Sequence, residues 1–190
     1  MNICILSGSA RKNNNTIRVG KALQHTLGKE HAVSLIDFQE YDIPLITQGD
    51  IDANNLNSFQ KKLVDGMRPA QIIFIISPEY NWSTTPEILN FLHRFGDTPF
   101  EDLFDNKVFS MVGVSTGKGG KTPALHISNI LFKIISYFNL ESIVSTKIFE
   151  AHYTKEVLDE NGISLGNKKF EDGLNDFISY TIRITKRWNK

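Results

Sequence analysis

Cysteine, surplus charge and long apolar runs are what this chain lacks. Cys4 is the only cysteine among 190 residues, which excludes an internal disulfide, and its place in the first apolar run reads as a buried, inert thiol. Twenty-one basic residues offset twenty-one acidic ones, so no global field draws the chain to nucleic acid or a membrane surface. Any anionic ligand has to be held by local geometry. No window approaches about eighteen consecutive apolar residues, and no basic segment precedes an apolar one at the N-terminus, so a spanning helix and a secretory signal are both unexpected. The expectation is a soluble, cytoplasmic protein. The histidines His25, His31, His93, His126 and His152 fall at no metal-ligand spacing, and Cys4 does not open a helix, so neither a metal site nor a cysteine nucleophile is expected.

What is present is alternation. With 41% hydrophobic residues, the chain suits one domain spanning 1–190 with a sizeable core. Apolar runs at Ile3–Leu6, Ala32–Ile36, Gln71–Ile76, Val108–Val114 and Ser142–Ile148 read as five strands, the third being the most apolar and therefore central. Helical spacing of apolar residues follows at Thr16–Leu27, Leu56–Met67, Ile88–Phe95, Thr122–Phe138 and Phe170–Trp188. Residues 37–55 read as a surface connection and 152–167 as a polar stretch. Strand–helix alternation of this kind implies an α/β fold, a doubly wound five-stranded parallel sheet with helices on both faces.

The unusual residues fall on three loops that follow strands. The first is Ser7-Gly8-Ser9-Ala10-Arg11-Lys12 with Asn13, Asn14, Asn15 and Thr16. Small hydroxyl and amide side chains, a cation and a helix start near Asn15 or Thr16 suit a phosphate, whose charge the free N–H groups and dipole of a helix N-terminus attract. The same residue types make ordinary capped turns, so the loop alone leaves both readings open. It matches neither G-x-G-x-x-G, since no glycine follows Gly8 until Gly20, nor a P-loop ending in Gly-Lys-Ser/Thr. The second loop is Ser77-Pro78-Glu79-Tyr80-Asn81-Trp82-Ser83, where Ser-Pro forces an extended turn and Tyr80 and Trp82 offer flat apolar cover to a heterocycle, or else pack on a neighbouring loop or subunit. The third, Ser115-Thr116-Gly117-Lys118-Gly119-Gly120-Lys121-Thr122, is glycine-rich ahead of a helix expected to be capped at Thr122-Pro123.

The run Gly8-Ser9-Ala10-Arg11-Lys12 with Asn15-Thr16, and Pro78-Glu79-Tyr80-Asn81 directly after the third strand, resemble the G-S-x-R-K…N-T and P-E-Y-N motifs of the NADPH-dependent FMN reductase family. The resemblance implies a flavodoxin-like strand order 2-1-3-4-5. It further implies FMN held by Ser9, Arg11, Asn15 and Thr16 at its phosphate, by Pro78, Glu79, Tyr80 and Asn81 along ribityl and ring, and by Ser115, Thr116 and Gly117 near the ring. NADPH or NADH would be the electron donor, a small molecule the acceptor, and the assembly a homodimer or homotetramer. Catalysis would belong to the flavin rather than to a side chain. Trp82, Thr84-Thr85, Glu87, Asn90-Phe91 and Arg94 depart from the family pattern around and after the second motif. Two rivals stand beside this reading: a flavodoxin-like electron carrier that does not oxidise nicotinamide, and a nucleotide-binding protein using Gly120-Lys121-Thr122, which ends like a P-loop but has Ser115 where the first glycine belongs. Lys118 and Lys121 are either cations for the phosphates of the nicotinamide cofactor or solvated side chains.

Overall fold

The computed structural model describes residues 1–188. Strands β1 (Asn2–Ser7), β2 (Ala32–Asp37), β3 (Ile72–Pro78) and β4 (Val108–Val114) pair in parallel in the order β2-β1-β3-β4, with the short β5 (Ile143–Val144) and β6 (Phe149–Ala151) both adding to β4. Apart from this division of the last strand, the order is the expected 2-1-3-4-5. The helices are α1 (Asn15–Leu27), α2 (Ser58–Met67), α3 (Pro86–Phe95), α4 (Lys121–Tyr137), the single turn α5 (Thr154–Val157) and α6 (Lys168–Trp188).

Because successive strand residues face opposite sides, the apolar runs of β1 and β3 feed two cores. Cys4, Leu6, Ile73 and Ile75 pack with α2, α3 and α4, while Ile3, Ile5, Ile72, Phe74 and Ile76 pack with α1 and α6. Phenylalanine fills much of the first side, where Phe91 meets Phe38, Phe95 and Phe104 at 5.9 to 6.0 Å between ring centres. No helix among the described residues is long and apolar enough to cross a membrane.

The structure alters several local expectations. The single fifth strand at Ser142–Ile148 is two short strands separated by residues 145–148, where the Ser145 N–H still donates to the Phe109 carbonyl of β4 and the Ser145 hydroxyl and the Lys147 backbone bond each other in a local turn. The 37–55 connection is not wholly on the surface. Phe38 and Ile43 are buried, and two 3₁₀ turns, Phe38–Glu40 and Ile46–Gln48, organise it. Within α4, Ile127, Leu131 and Ile134 are buried as expected, but Leu125 is half exposed. That helix begins at Gly120 with no side-chain cap, so Thr122 does not cap it. Asn57 caps α2 by accepting the Gln60 N–H.

Candidate functional site

The carboxyl ends of β1, β3 and β4 bring the three loops together, where a doubly wound sheet reverses its winding and opens a crevice. A cavity of about 290 Å³ lies there, walled by the 9–15 loop, Pro78-Glu79-Tyr80, Val114, Thr116 and Lys155.

Asn14 organises the first loop. Its amide nitrogen donates to the carbonyls of Ser9 (3.2 Å) and Arg11 (2.8 Å), and its oxygen accepts the Ile17 N–H (2.8 Å) and the Thr16 hydroxyl (2.5 Å). One side chain therefore caps α1 and ties down the loop that precedes it. The N–H groups of Asn15 and Thr16, in the first turn, have no partner within the helix and point toward the cavity end of the dipole. Asn15 also lines the cavity, and its amide oxygen is buried without a hydrogen-bond partner. A ligand donor would satisfy that oxygen, or the amide turned over would present N–H₂ to an anion. The residues present fit a phosphate-bearing ligand.

Gly8 is required for a reason the sequence did not disclose. Its backbone is not in the left-handed region; instead a Cβ there would lie 2.1 Å from Cδ1 of Ile88 and 2.9 Å from the carbonyl of Ile76. The first loop is thus pressed against the start of α3. Thr85 caps that helix, accepting the Ile88 N–H at 3.2 Å.

In the second loop, β3 runs through Pro78, and the expected free backbone edge is largely used. The Glu79 N–H bonds the Val114 carbonyl (2.9 Å), and Tyr80 and Ser83 exchange two backbone bonds of 2.9 Å. Asn81 and Trp82 form the two-residue turn between them, both with positive φ (50° and 65°), as a type I′ hairpin requires. Asn accepts that conformation readily, but tryptophan does so only with strain, and Trp82 stands 78% exposed. Tyr80 faces the first loop: the Arg11 guanidinium lies 4.3 Å over its ring, and its hydroxyl is 3.4 Å from the Ser9 hydroxyl.

Glu79 binds the third loop. Its carboxylate accepts the Gly120 N–H at 2.6 Å, at the start of α4, where φ is 101°. The position at which a P-loop would offer this amide to a phosphate is filled by the protein's own anion. Lys121 is exposed, and Lys118 lines a separate cavity with His152 and Tyr153.

Of the residues expected in the site, Ser9, Arg11, Asn15, Pro78, Glu79, Tyr80 and Thr116 share the cavity wall. Thr16, Asn81, Ser115 and Gly117 do not. Thr16 is fully buried below the loop, its hydroxyl 2.9 Å from that of Ser7. Asn81 is exposed on its turn, and Ser115 and Gly117 bond each other within the third loop. Besides Val114, at the end of β4, Lys155 is a wall residue that sequence reasoning missed. It sits in a four-residue helical turn too short for periodicity to reveal, although the lysine itself lies in a stretch read only as polar.

Fold and site together define a flavodoxin-like α/β protein with a crevice at the N-terminus of α1. A model of the family described as NADPH-dependent FMN reductase matches residues 1–150, and the chain belongs to that family. A curated quinone reductase from Pseudomonas putida is 27% identical over 125 residues, which is 65% of this chain and 65% of that relative, slightly under two-thirds of its length. The fold is shared with a flavoenzyme NAD(P)H:(acceptor) oxidoreductase, FerB, from Paracoccus denitrificans (TM-score 0.74, 16% identity, 97% of each chain). A flavodoxin from the domain Archaea also shares it (TM-score 0.53, 12% identity, all of both chains).

Proposed function

We propose that this chain is an FMN-dependent NAD(P)H oxidoreductase that passes electrons to a small-molecule acceptor such as a quinone, an azo compound or a flavin. The observation that carries the reading is the convergence of Ser9, Arg11, Asn15, Glu79, Tyr80 and Thr116 on one cavity at the α1 N-terminus. Family membership and the quinone reductase relative support it.

Each part of the site has a task in this reading. Ser9, Arg11 and Asn15 hold the FMN phosphate. Thr16 acts from beneath, fixing Asn14 and hence the loop. Tyr80 and Pro78 cover the flavin on one side, while Asn81 sets the turn that aims Tyr80. Glu79 pins the start of α4, and with it the loop carrying Ser115, Thr116 and Gly117, beside the ring. Bound FMN supplies the hydride acceptance and onward electron transfer; the protein orients it and limits water around it.

No catalytic side chain, metal or nucleic acid is part of this reading. It includes a cytoplasmic homodimer or homotetramer, consistent with the exposed apolar side chains Leu125, Phe132 and Tyr137 along α4. The test is the visible absorption spectrum of purified protein, before and after adding FMN and removing the excess, followed by anaerobic mixing with NADPH and NADH. Retained flavin that bleaches rapidly supports the reductase. Retained flavin that does not bleach leaves an electron carrier, and failure to bind flavin overturns the assignment. A light-scattering mass of 21.5 kDa, that of one chain, would refute the oligomer.

A further inference from the structure

The segment after β6 lies beyond the residues matched by the family model, yet it supplies Lys155 to the cavity wall. Its path is set by hydrogen bonds. Tyr153, with φ of 48°, turns the chain, the buried Thr154 hydroxyl donates to the Ala151 carbonyl (3.3 Å), and the Leu158 N–H closes the turn on the Thr154 carbonyl (2.9 Å). Val157 and Leu158 enter the core that α1 and α6 share.

Helix α1 then grips residues 158–162. Arg18, only 9% exposed, donates to the Leu158 carbonyl (3.2 Å) and pairs with Glu160 (3.5 Å), while Lys21 donates to the Glu160 carbonyl (3.0 Å). Gly162 presses so closely that a Cβ would come within 2.6 Å of the Arg18 carbonyl oxygen. The segment is docked on the very helix whose N-terminus opens into the cavity. Lys155 is thereby carried to a wall otherwise made by the first and second loops, Val114 and Thr116.

The ionisable groups on that wall that carry charge at neutral pH are Arg11, Lys12 and Lys155 against Glu79. The Glu79 carboxylate is already engaged by the Gly120 N–H, and the Arg11 guanidinium rests on the Tyr80 ring. A phosphate monoester carries about −2 at neutral pH and is best met by cations that can approach as hydrogen-bond donors. Resting on the FMN reading above, we infer that Lys155 is a phosphate-binding residue of this cavity, one that makes the site select FMN over its dephosphorylated form, riboflavin.

The experiment is a titration of flavin-free protein with FMN and with riboflavin, followed by flavin fluorescence, for the wild type, Lys155→Gln and Lys155→Arg. Lys155→Gln is expected to weaken FMN about 10-fold, the scale of one charge-assisted hydrogen bond, and to leave riboflavin within about twofold of wild type. Lys155→Arg is expected to restore most of the FMN affinity. The FMN affinity of Lys155→Gln should also fall less steeply with added salt than that of the wild type. An unchanged FMN affinity in Lys155→Gln, or an equal loss for both flavins, overturns the role of Lys155 while leaving the FMN reading intact. A wild-type protein that binds neither flavin overturns the FMN reading itself. Because the Lys155 side chain is exposed, the substitution is not expected to alter folding, which the thermal midpoint of the flavin-free variants checks.

Discussion

The hydroxyl of Thr85 donates to the carbonyl of Gly8 across 2.8 Å, although 77 residues separate them in the chain. The same hydroxyl accepts the Ile88 N–H, so one buried side chain caps α3 and fastens it to the first loop. Thr85→Val keeps the shape and removes both bonds. It is expected to cost about 1–3 kcal/mol in urea unfolding, because the cap is lost and a buried carbonyl is left unpaired. FMN binding should weaken with it, whereas a valine variant with wild-type stability would show that the bond contributes nothing net.

Gly8→Ala addresses the same junction from the steric side. The added methyl would collide with Ile88 and with the Ile76 carbonyl, so a loss of about 1–3 kcal/mol is expected. Trimming the partner in the double variant Gly8→Ala, Ile88→Val should recover part of that loss. Recovery reads as coupling between two touching residues; strict additivity of the two losses would contradict the contact.

Glu79→Gln tests whether charge, and not shape alone, holds the third loop. The carboxylate sits at the N-terminus of α4, where a negative charge is favoured and a neutral amide is not. The expected result is faster hydrogen exchange at the Gly120 amide and the loop before it, with the core strands unaffected. Equal exchange in the two proteins would remove Glu79 from its role as a latch.

Cys4 supplies a pH-dependent prediction. Burial pushes its thiol up from 9.0 to about 12, outweighing a hydrogen bond from Ser34 and the charge of Lys107, both of which lower it. The unfolded thiol ionises near 9 while the folded one keeps its proton. Stability from this group is therefore complete below about pH 9 and is lost as pH rises toward 12. Tyr41, raised from 10.0 to about 12 chiefly by burial, acts with the same sign. Lys107 is lowered by burial, and its contribution has the opposite sign, rising as pH approaches the ordinary lysine range. Between about pH 8 and 10, the stability gap between wild type and Cys4→Ala should narrow, as urea midpoints would reveal. At about pH 8 the native thiol should resist a disulfide reagent that labels the unfolded chain.

The strands β1, β3 and β4 were legible because strands buried on both faces need mostly apolar runs: Ile3–Leu6 and Ile72–Ile76 are unbroken, and Val108–Val114 is interrupted only by Ser110 and Gly113. The break between Val144 and Phe149 was hidden, because a strand divided by a local turn keeps the composition of a continuous one. Phe38 and Ile43 escaped notice because burial inside a connection follows no period. In the site, the side chains of the first loop were readable as a set, but not their division of labour. Only three-dimensional hydrogen bonding shows Asn14 tying the loop together within the wall and Thr16 supporting it from behind. Lys155 reaches that wall through contacts with α1 made by other residues, a dependence no local window contains.

The aromatic core of the α2, α3 and α4 side is silent in one common experiment. Its fully buried rings are phenylalanines, whereas the two tryptophans, Trp82 and Trp188, lie 78% and 43% exposed. Native emission should therefore already resemble that of a solvated indole, and unfolding should shift it little, so circular dichroism is the better reporter of stability. The same arrangement gives the intrinsic fluorescence a different use: Trp82 sits on a hairpin turn two residues beyond the cavity-wall residue Tyr80, and its quenching on addition of flavin would report binding.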